Sequence, residues 1–200
     1  INVQYYETVN AEGGEGHDRF NLTNIKGEVK VNAGNGDDNF EIGRIKGNIE
    51  VDLGDGDNYL YSYDTDNNLV IKGKEGKDSV NVYHGVKVEI EGGEGDDTFT
   101  AYDFLNGNLS GGTGNDQLTA SYYPEIWTAG RSRDKNQNNI FDETQVYVLD
   151  GGEGDDTLKI RGDYTRLERG GNEATLKGGE GDDTIAVSYT HLRAHETKRN

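Results

Sequence analysis

The sequence contains no cysteine and no methionine, and it has one proline and one tryptophan. Without cysteine, neither disulfides nor thiolate metal sites can form, and cysteine usage gives no sign of the redox compartment. The absence of methionine leads us to expect a segment of a longer protein. No apolar run is long enough to span a membrane, and no signal peptide is recognisable, so we predict no membrane span.

Basic residues are also scarce, with 20 Lys and Arg against 38 Asp and Glu, which gives a net charge of -18. This charge disfavours nucleic acid and anionic membrane surfaces as partners and favours cations. Val, Ile, Leu and Phe make up about a fifth of the chain, which is close to the composition of disordered chains. A multivalent cation that binds only the folded state would supply the missing stability, by ligation and by cancelling carboxylate repulsion.

Glycine, by contrast, is abundant, and much of it belongs to a nine-residue pattern that starts at residues 13, 33, 53, 73, 92, 111, 151 and 178. We number positions from the first residue of each copy and name each coil by that residue. Position 4 is always Gly and position 8 is always apolar. Position 6 is an acid or its amide: Asp18, Asp38, Asn58, Asp78, Asp97, Asp116, Asp156 and Asp183.

Apolar residues also recur four and two residues before most copies, as in Val29 and Val31 or Ile49 and Val51. Each repeat therefore has two short strands with apolar inward faces, one on each side of the glycine loop. A lone unit cannot bury these faces, but units stacked at the ~4.8 Å spacing of parallel strands form a continuous core. We predict an all-β parallel β-solenoid (a β-roll or β-helix) of 19–20-residue coils, with the carboxylates along one edge and Gly and Asn turns along the other.

Two departures divide this array. We expect regular repeats over residues 1–120, an inserted loop over 121–145 and further repeats over 146–186, with a smaller insertion at roughly 166–173. The basic stretch 187–200 resembles translated sequencing-adapter read-through, so we predict that it is not native, with a native basic tail as the alternative.

The pattern GGxGxDxUx, in which U is apolar, resembles the nonapeptide of the RTX, or haemolysin-type, calcium-binding proteins. Coils 13, 92, 111, 151 and 178 match every fixed position. Coils 33 and 53 begin with Ala33 and Leu53, coil 53 has Asn58 in place of Asp, and coil 73 carries Lys74 and Lys77. The resemblance is therefore weaker in coils 53 and 73.

The resemblance implies several Ca²⁺ ions, each held between the loops of successive coils, in a bacterial protein exported by type I secretion that folds outside the cell. Calcium takes six to eight oxygens from carboxylates and carbonyls, and glycine lets a loop turn its carbonyls inward. The implied side-chain ligands are the eight position 6 residues. The implied backbone ligands are the carbonyls of Gly14, Gly34, Gly93, Gly112, Gly152 and Gly179. The family places a nonapeptide on both edges of its coil, whereas this chain has one per coil, so the ions would lie along a single edge. The alternative is a metal-free solenoid with glycine turns.

A weaker calcium candidate lies in the predicted insertion. Asp134, Asn136, Asn138 and Asp142 stand at positions 1, 3, 5 and 9 of an EF-hand-like loop. Asn139 replaces the usual glycine, and Gln145 replaces the bidentate glutamate at position 12. An ion site and a plain Asn-rich loop therefore both remain open.

Tyr63, Tyr83 and Tyr102 share one repeat position, and Tyr59 and Tyr61 lie on the same strand surface. They predict either a stacked ladder that covers the coil or a stripe that binds carbohydrate at a cell surface.

Catalysis has little support, because the four histidines form no HExxH motif and no Ser-His-Asp order. The carboxylates recur at a fixed period, which indicates ion ligation and not a glycosidase pair. We predict that this segment is not an enzyme. Two alternatives are a repeat region attached to a polysaccharide-active enzyme or other exoenzyme, and an adhesin stalk.

Overall fold

The computed structural model describes residues 1–65, 67–122, 146–162 and 173–189. Within these ranges the chain is all-β, without helices, and forms a parallel β-solenoid, so the predicted fold class is confirmed. No helix in the described ranges is long and apolar enough to cross a membrane. The strands are β1 (Asn2–Gln4), β2 (Val9–Glu15), β3 (Arg19–Thr23), β4 (Val29–Asn35), β5 (Asn39–Ile45), β6 (Ile49–Gly54), β7 (Tyr59–Thr65), β8 (Asn68–Gly73), β9 (Ser79–Glu94), β10 (Thr98–Thr113), β11 (Gln117–Tyr122), β12 (Val146–Glu153), β13 (Thr157–Gly162), β14 (Glu173–Glu180) and β15 (Thr184–Tyr189).

The strands form two parallel ladders that face each other across the core. Ladder A contains the strands that follow the glycine loops: β1, β3, β5, β7, the first parts of β9 and β10, β11, β13 and β15. Ladder B contains the strands that precede the loops: β2, β4, β6, β8, the later parts of β9 and β10, β12 and β14. Strands β9 and β10 each continue from ladder A through the second turn into ladder B. The second turns therefore lie along one edge of the solenoid and the glycine loops along the other.

Equivalent residues of successive coils pair directly in these ladders. Phe20 pairs with Phe40, and Phe40 pairs with Leu60. The register also continues past the predicted insertion, because Leu109 in β10 pairs with Leu149 in β12. In the last described coil, β15 extends to Tyr189 and pairs with β13. The repeat pattern therefore sets the stacking order.

The predicted inward residues form the core. The position 8 residues from Phe20 to Leu158 are fully buried, and Phe20 stacks on Phe40 with ring centroids 4.9 Å apart. Ile185, in the last described strand of ladder A, is 51% exposed. The core is thus narrow, because a coil such as that of Phe40 and Ile42 contributes only a few buried side chains to each ladder, and each coil depends on its neighbours for burial.

The second turn contains a left-handed residue in successive coils. Its left-handed residue is not glycine, because Asn24, Arg44, Asp64, His84 and Asp103 all have φ of 54–61°. These residues share one repeat position, so the same backbone strain recurs in each coil at a cost of about 1–2 kcal/mol per residue. Stacking of identical turns stabilises this conformation.

Candidate functional site

The glycine edge carries a row of side chains at position 6 that point into the solenoid, which we name the inner row. Six of its eight members are at most 2% exposed: Asp38, Asn58, Asp78, Asp97, Asp116 and Asp156. Asp18 and Asp183, at the two ends, are partly exposed. The structure therefore brings all eight predicted side-chain ligands into one line, and it buries most of them.

One oxygen of each inner-row side chain accepts a hydrogen bond from the preceding coil. The backbone N–H of Asp78 donates to Asp97 Oδ1 at 2.7 Å, and that of Asp97 donates to Asp116 Oδ1 at 2.8 Å. The same bond joins Asp116 to Asp156 at 2.8 Å. Every side chain in the row from Asp38 to Asp183 accepts in this way.

The second carboxylate oxygen is left without a partner in four of these residues. Oδ2 of Asp38, Asp97, Asp116 and Asp156 is buried and makes no hydrogen bond within the protein. A buried carboxylate oxygen without a donor costs several kcal/mol, because desolvation is not offset. A bound cation at each Oδ2 would remove that cost.

The absence of a side chain at position 1 lets this oxygen approach the backbone closely. A methyl group on Gly92 would collide with Oδ2 of Asp97 and with the carbonyl oxygen of Gly111 in the next coil. Gly73 and Gly151 have the same surroundings, and a methyl group on Gly13 would meet Asp18 Oδ2 and the carbonyl oxygen of Ala33. A carboxylate oxygen and a carbonyl oxygen thus converge beside a position 1 glycine, and we name this pair of oxygens the cradle. Two such oxygens are a partial ligand set for a hard cation such as calcium.

The carbonyl oxygen that lies near the inner-row carboxylate belongs to the residue at position 1, whereas the family resemblance implied carbonyl ligands at position 2. The carbonyls of Gly14, Gly34, Gly93, Gly112, Gly152 and Gly179 lie in the stacked loops at positive φ, as the resemblance implies. Among them, Gly34 O accepts a hydrogen bond from the N–H of Asp55 at 3.1 Å. In the sequence, the recurring glycine at position 1 was the feature from which the cradle could have been predicted.

Burial raises the carboxyl pKa values along the inner row. Desolvation is the largest cause, with repulsion from neighbouring carboxylates adding to it, and together they raise the pKa of Asp97 to about 7. The same burial raises the pKa of Asp78 and of Asp116 to about 6. The pKa values of Asp38 and Asp156 are raised for the same reason. These carboxylates are therefore destabilised when ionised without a counter-ion.

The lysines of coil 73 lie outside the inner row. Lys77 Nζ is 2.8 Å from Asp96 Oδ2, and Lys74 Nζ is 3.6 Å from Asp52 Oδ1, and both lysines are more than half exposed. The cradle beside Gly73 keeps Asp78 Oδ2 and the Gly92 carbonyl. Coil 73 therefore retains the inner-row geometry despite its lysines.

Sequence reasoning missed a second row at position 5, which we name the outer row. It contains His17, Asp37, Asp57, Lys77, Asp96, Asn115, Asp155 and Asp182. Here the side chain accepts from the following coil: Asp57 Oδ1 from the N–H of Lys77 at 2.8 Å, and Asp96 Oδ1 from that of Asn115 at 3.0 Å. Inner-row side chains thus accept hydrogen bonds from the preceding coil, and outer-row side chains accept them from the following coil. The outer row is solvent-exposed.

No group of three or more His, Asp or Glu side chains within the described ranges could hold a metal ion by itself. The spacing explains this, because the inner row supplies one carboxylate per coil. An ion at a cradle would draw on one or two carboxylates and on carbonyls. The EF-hand-like candidate (Asp134, Asn136, Asn138 and Asp142) lies outside the described residues.

The tyrosines form a packed ladder on the outside of ladder A. Tyr63, Tyr83 and Tyr102 pair in register. The rings of Tyr83 and Tyr102 stack at 4.9 Å, and Tyr61 lies 5.5 Å from Tyr83. Tyr59 and Tyr61 are 41% and 36% exposed. The row therefore covers the coil and also presents two accessible rings.

The two described histidines, His17 and His84, contact groups of neighbouring coils. His84 Nδ1 is 3.2 Å from Asp64 Oδ1, and its Nε2 is 3.5 Å from the buried Asp103 Oδ2. His17 Nδ1 accepts the N–H of Asp37 at 2.9 Å in the outer row. All three contacts join successive coils. His191 and His195 lie outside the described residues.

No protein-family model, curated protein or solved structure matches the chain.

Proposed function

We propose that this chain is a calcium-binding structural repeat domain of the RTX type, from a secreted bacterial protein. The observation that carries the proposal is the inner row, with four buried carboxylate oxygens that have no partner in the protein. Buried anions of this kind need a cation. The ligands on offer are oxygens alone, which is the preference of calcium.

Each ion would lie at a cradle between two coils. Asp78, Asp97, Asp116 and Asp156 would supply Oδ2, and the position 1 carbonyls of Gly92, Gly111 and Gly178 would complete part of the shell. Calcium supplies positive charge that offsets both desolvation and repulsion along the row. Because the cradle exists only when coils are stacked, ion binding is coupled to folding.

The coupling of calcium binding to folding also supports the proposal that the protein is secreted. With a net charge of -18 and little apolar surface, the chain is expected to stay unfolded where calcium is scarce. It would fold outside the cell, where calcium is abundant. Its role is then structural.

A calcium titration followed by circular dichroism tests this function. We expect a disordered spectrum in calcium-free buffer and a β spectrum on addition of calcium, with magnesium much less effective because it demands a smaller, octahedral shell. A β spectrum that chelator leaves unchanged would contradict the proposal.

A second candidate function is an adhesin stalk that binds carbohydrate, and the exposed rings of Tyr59 and Tyr61 favour it. The calcium-loaded chain would then bind insoluble polysaccharide, and Tyr59→Ala would reduce the bound fraction while the melting temperature changed little, because the Tyr59 ring is 41% exposed. Equal binding by the two proteins would exclude this tyrosine surface as the binding site.

A further inference from the structure

We propose that the row of calcium sites is interrupted at coil 53, so that the chain holds two separate groups of ions. This inference rests on the proposed calcium function. The first group involves Asp18 and Asp38, of which Asp38 keeps a buried, unpartnered Oδ2 although its coil has the small Ala33 at position 1. The second group involves the carboxylates from Asp78 to Asp183. Four features of the interruption carry the inference.

The first feature is that a leucine side chain occupies the position of the cradle glycine. At Gly73, Gly92 and Gly151, even a methyl group would meet the inner-row carboxylate and the next carbonyl. Leu53 stands at the equivalent position, belongs to the hydrophobic core and is 1% exposed. Leu53 therefore places a whole apolar side chain, where Ala33 has a single methyl group, next to the position at which the two oxygens converge in the other coils.

The second feature is that the inner-row residue of coil 53 needs no cation. Asn58 Oδ1 accepts the N–H of Asp38 at 2.9 Å, and its Nδ2 donates to Gly56 O at 3.0 Å. Asn58 is neutral and both ends of its amide are hydrogen-bonded. In contrast, Asp38 and Asp97 each keep an unpartnered Oδ2.

The third feature is a change of register in the loops. Elsewhere position 2 residues pair with one another, as Gly14 does with Gly34 and Gly93 with Gly112. Between β6 and β8, Gly54 pairs with Gly73, which is at position 1, and the register shifts between Asp52 and Gly54. The loops of coils 53 and 73 thus meet differently from those that frame a cradle.

The fourth feature is a positive charge supplied by the chain. Lys74 reaches back across this junction, with its Nζ 3.6 Å from Asp52 Oδ1. Lys77 replaces an acid in the outer row and lies 2.8 Å from Asp96 Oδ2. Both ammonium groups reduce carboxylate repulsion next to the coil at which no ion would bind.

Calcium counting on three versions of the full chain tests the interruption. Equilibrium dialysis with ⁴⁵Ca²⁺ would give the number of bound ions for the unaltered chain, for Asn58→Asp and for Leu53→Gly combined with Asn58→Asp. We expect the double variant to bind one more ion than the unaltered chain. We expect Asn58→Asp alone to bind no additional ion and to melt at a lower temperature in calcium, because it buries a charge beside Leu53.

An additional ion in Asn58→Asp alone would overturn the inference, as would a folded double variant with an unchanged ion count. An unaltered chain that binds no calcium would instead refute the proposed function.

Pairwise coupling gives a second test that does not depend on Leu53→Gly folding. Asp38→Asn and Asp97→Asn lie on opposite sides of coil 53, so their fold-changes in half-saturating calcium should multiply. Asp97→Asn and Asp116→Asn share one group of sites, so their combination should deviate from the product. Coupling between Asp38 and Asp97 as strong as that between Asp97 and Asp116 would overturn the inference.

Discussion

The backbone N–H of Asp97 donates a 2.8 Å hydrogen bond to Oδ1 of Asp116, which lies in the next coil. This bond fixes one oxygen of Asp116 and leaves its other oxygen, Oδ2, buried without a partner. The relationship recurs at Asp38, Asp97 and Asp156, so each of these carboxylates links two coils through one oxygen and keeps a buried oxygen without a partner. Five predictions rest on this arrangement and on the packing around it.

Asp116→Asn should have opposite effects with and without calcium. An amide retains Oδ1 as an acceptor for the Asp97 N–H but places an NH₂ group in the cradle. We expect the half-saturating calcium concentration to rise by at least about tenfold, as for loss of groups that support a metal site. Without calcium, the variant should need less osmolyte to fold than the unaltered chain, because a buried charge is removed.

The control for this change is Asp155→Asn in the exposed outer row. Asp155 Oδ1 accepts the N–H of Asp182 at 2.8 Å, an acceptor that asparagine keeps, and Asn115 already occupies the same row. Its calcium midpoint should change little. Equal shifts for the two variants would mean that net charge, and not the inner row, controls calcium affinity.

The stability of the calcium-free chain should fall as pH rises from about 5 to about 8. Burial raises the pKa of Asp97 to about 7 and of Asp78 and Asp116 to about 6. In this window the folded state binds more protons than the unfolded state, so the free energy of unfolding decreases with increasing pH. Folding by an osmolyte in calcium-free buffer, followed by circular dichroism at several pH values, measures this trend, because an osmolyte favours the buried state without supplying a cation. Stability that increased with pH would contradict it.

Calcium affinity should show the opposite dependence on pH. Calcium binds the ionised carboxylates, so protonation below the raised pKa values competes with it. We therefore expect the calcium midpoint to move to higher concentration as pH falls from 8 to 6. Dialysis at fixed ionic strength would measure this shift, and an affinity independent of pH would exclude the inner row as the ligand source.

Gly92→Ala should weaken both folding and calcium binding. The added methyl would collide with Asp97 Oδ2 and with the Gly111 carbonyl. Overpacking of this kind typically costs about 1–3 kcal/mol. Gly85→Ala is the matched control, because its methyl would meet the side chain of Val88 at 3.0 Å and no backbone atom nearby. Thermal melts at saturating calcium should show a larger loss for Gly92→Ala.

Tyr83→Leu should destabilise the stacked tyrosines. The Tyr83 ring stacks on Tyr102 and lies 5.5 Å from Tyr61. Loss of such aromatic pairs should lower the free energy of unfolding by about 0.5–1.5 kcal/mol more than loss of area alone. The control is Tyr59→Leu, at a ring that is 41% exposed. Similar melting temperatures for the two variants would show that the stack contributes little to stability.

Sequence alone determined the solenoid and its glycine edge. A period of 19–20 residues aligns equivalent positions when coils stack, so Phe20 had to meet Phe40, and Asp97 had to stand beside Asp116. The alternation of apolar residues likewise fixed which faces are buried, because side chains on a strand alternate between its two sides. Calcium itself stays a prediction from the motif and the charge.

Only the tertiary structure decided what each aligned residue does. The period does not reveal which oxygen of Asp116 is occupied, that Lys77 points outward to Asp96, or that His84 carries the left-handed turn next to Gly85. These depend on the backbone groups that the adjacent coil presents, and a local sequence pattern does not contain them. The role of Leu53 also depends on the tertiary structure. In the sequence it is a minor exception to the motif, whereas in the structure it is buried at the place of the cradle glycine.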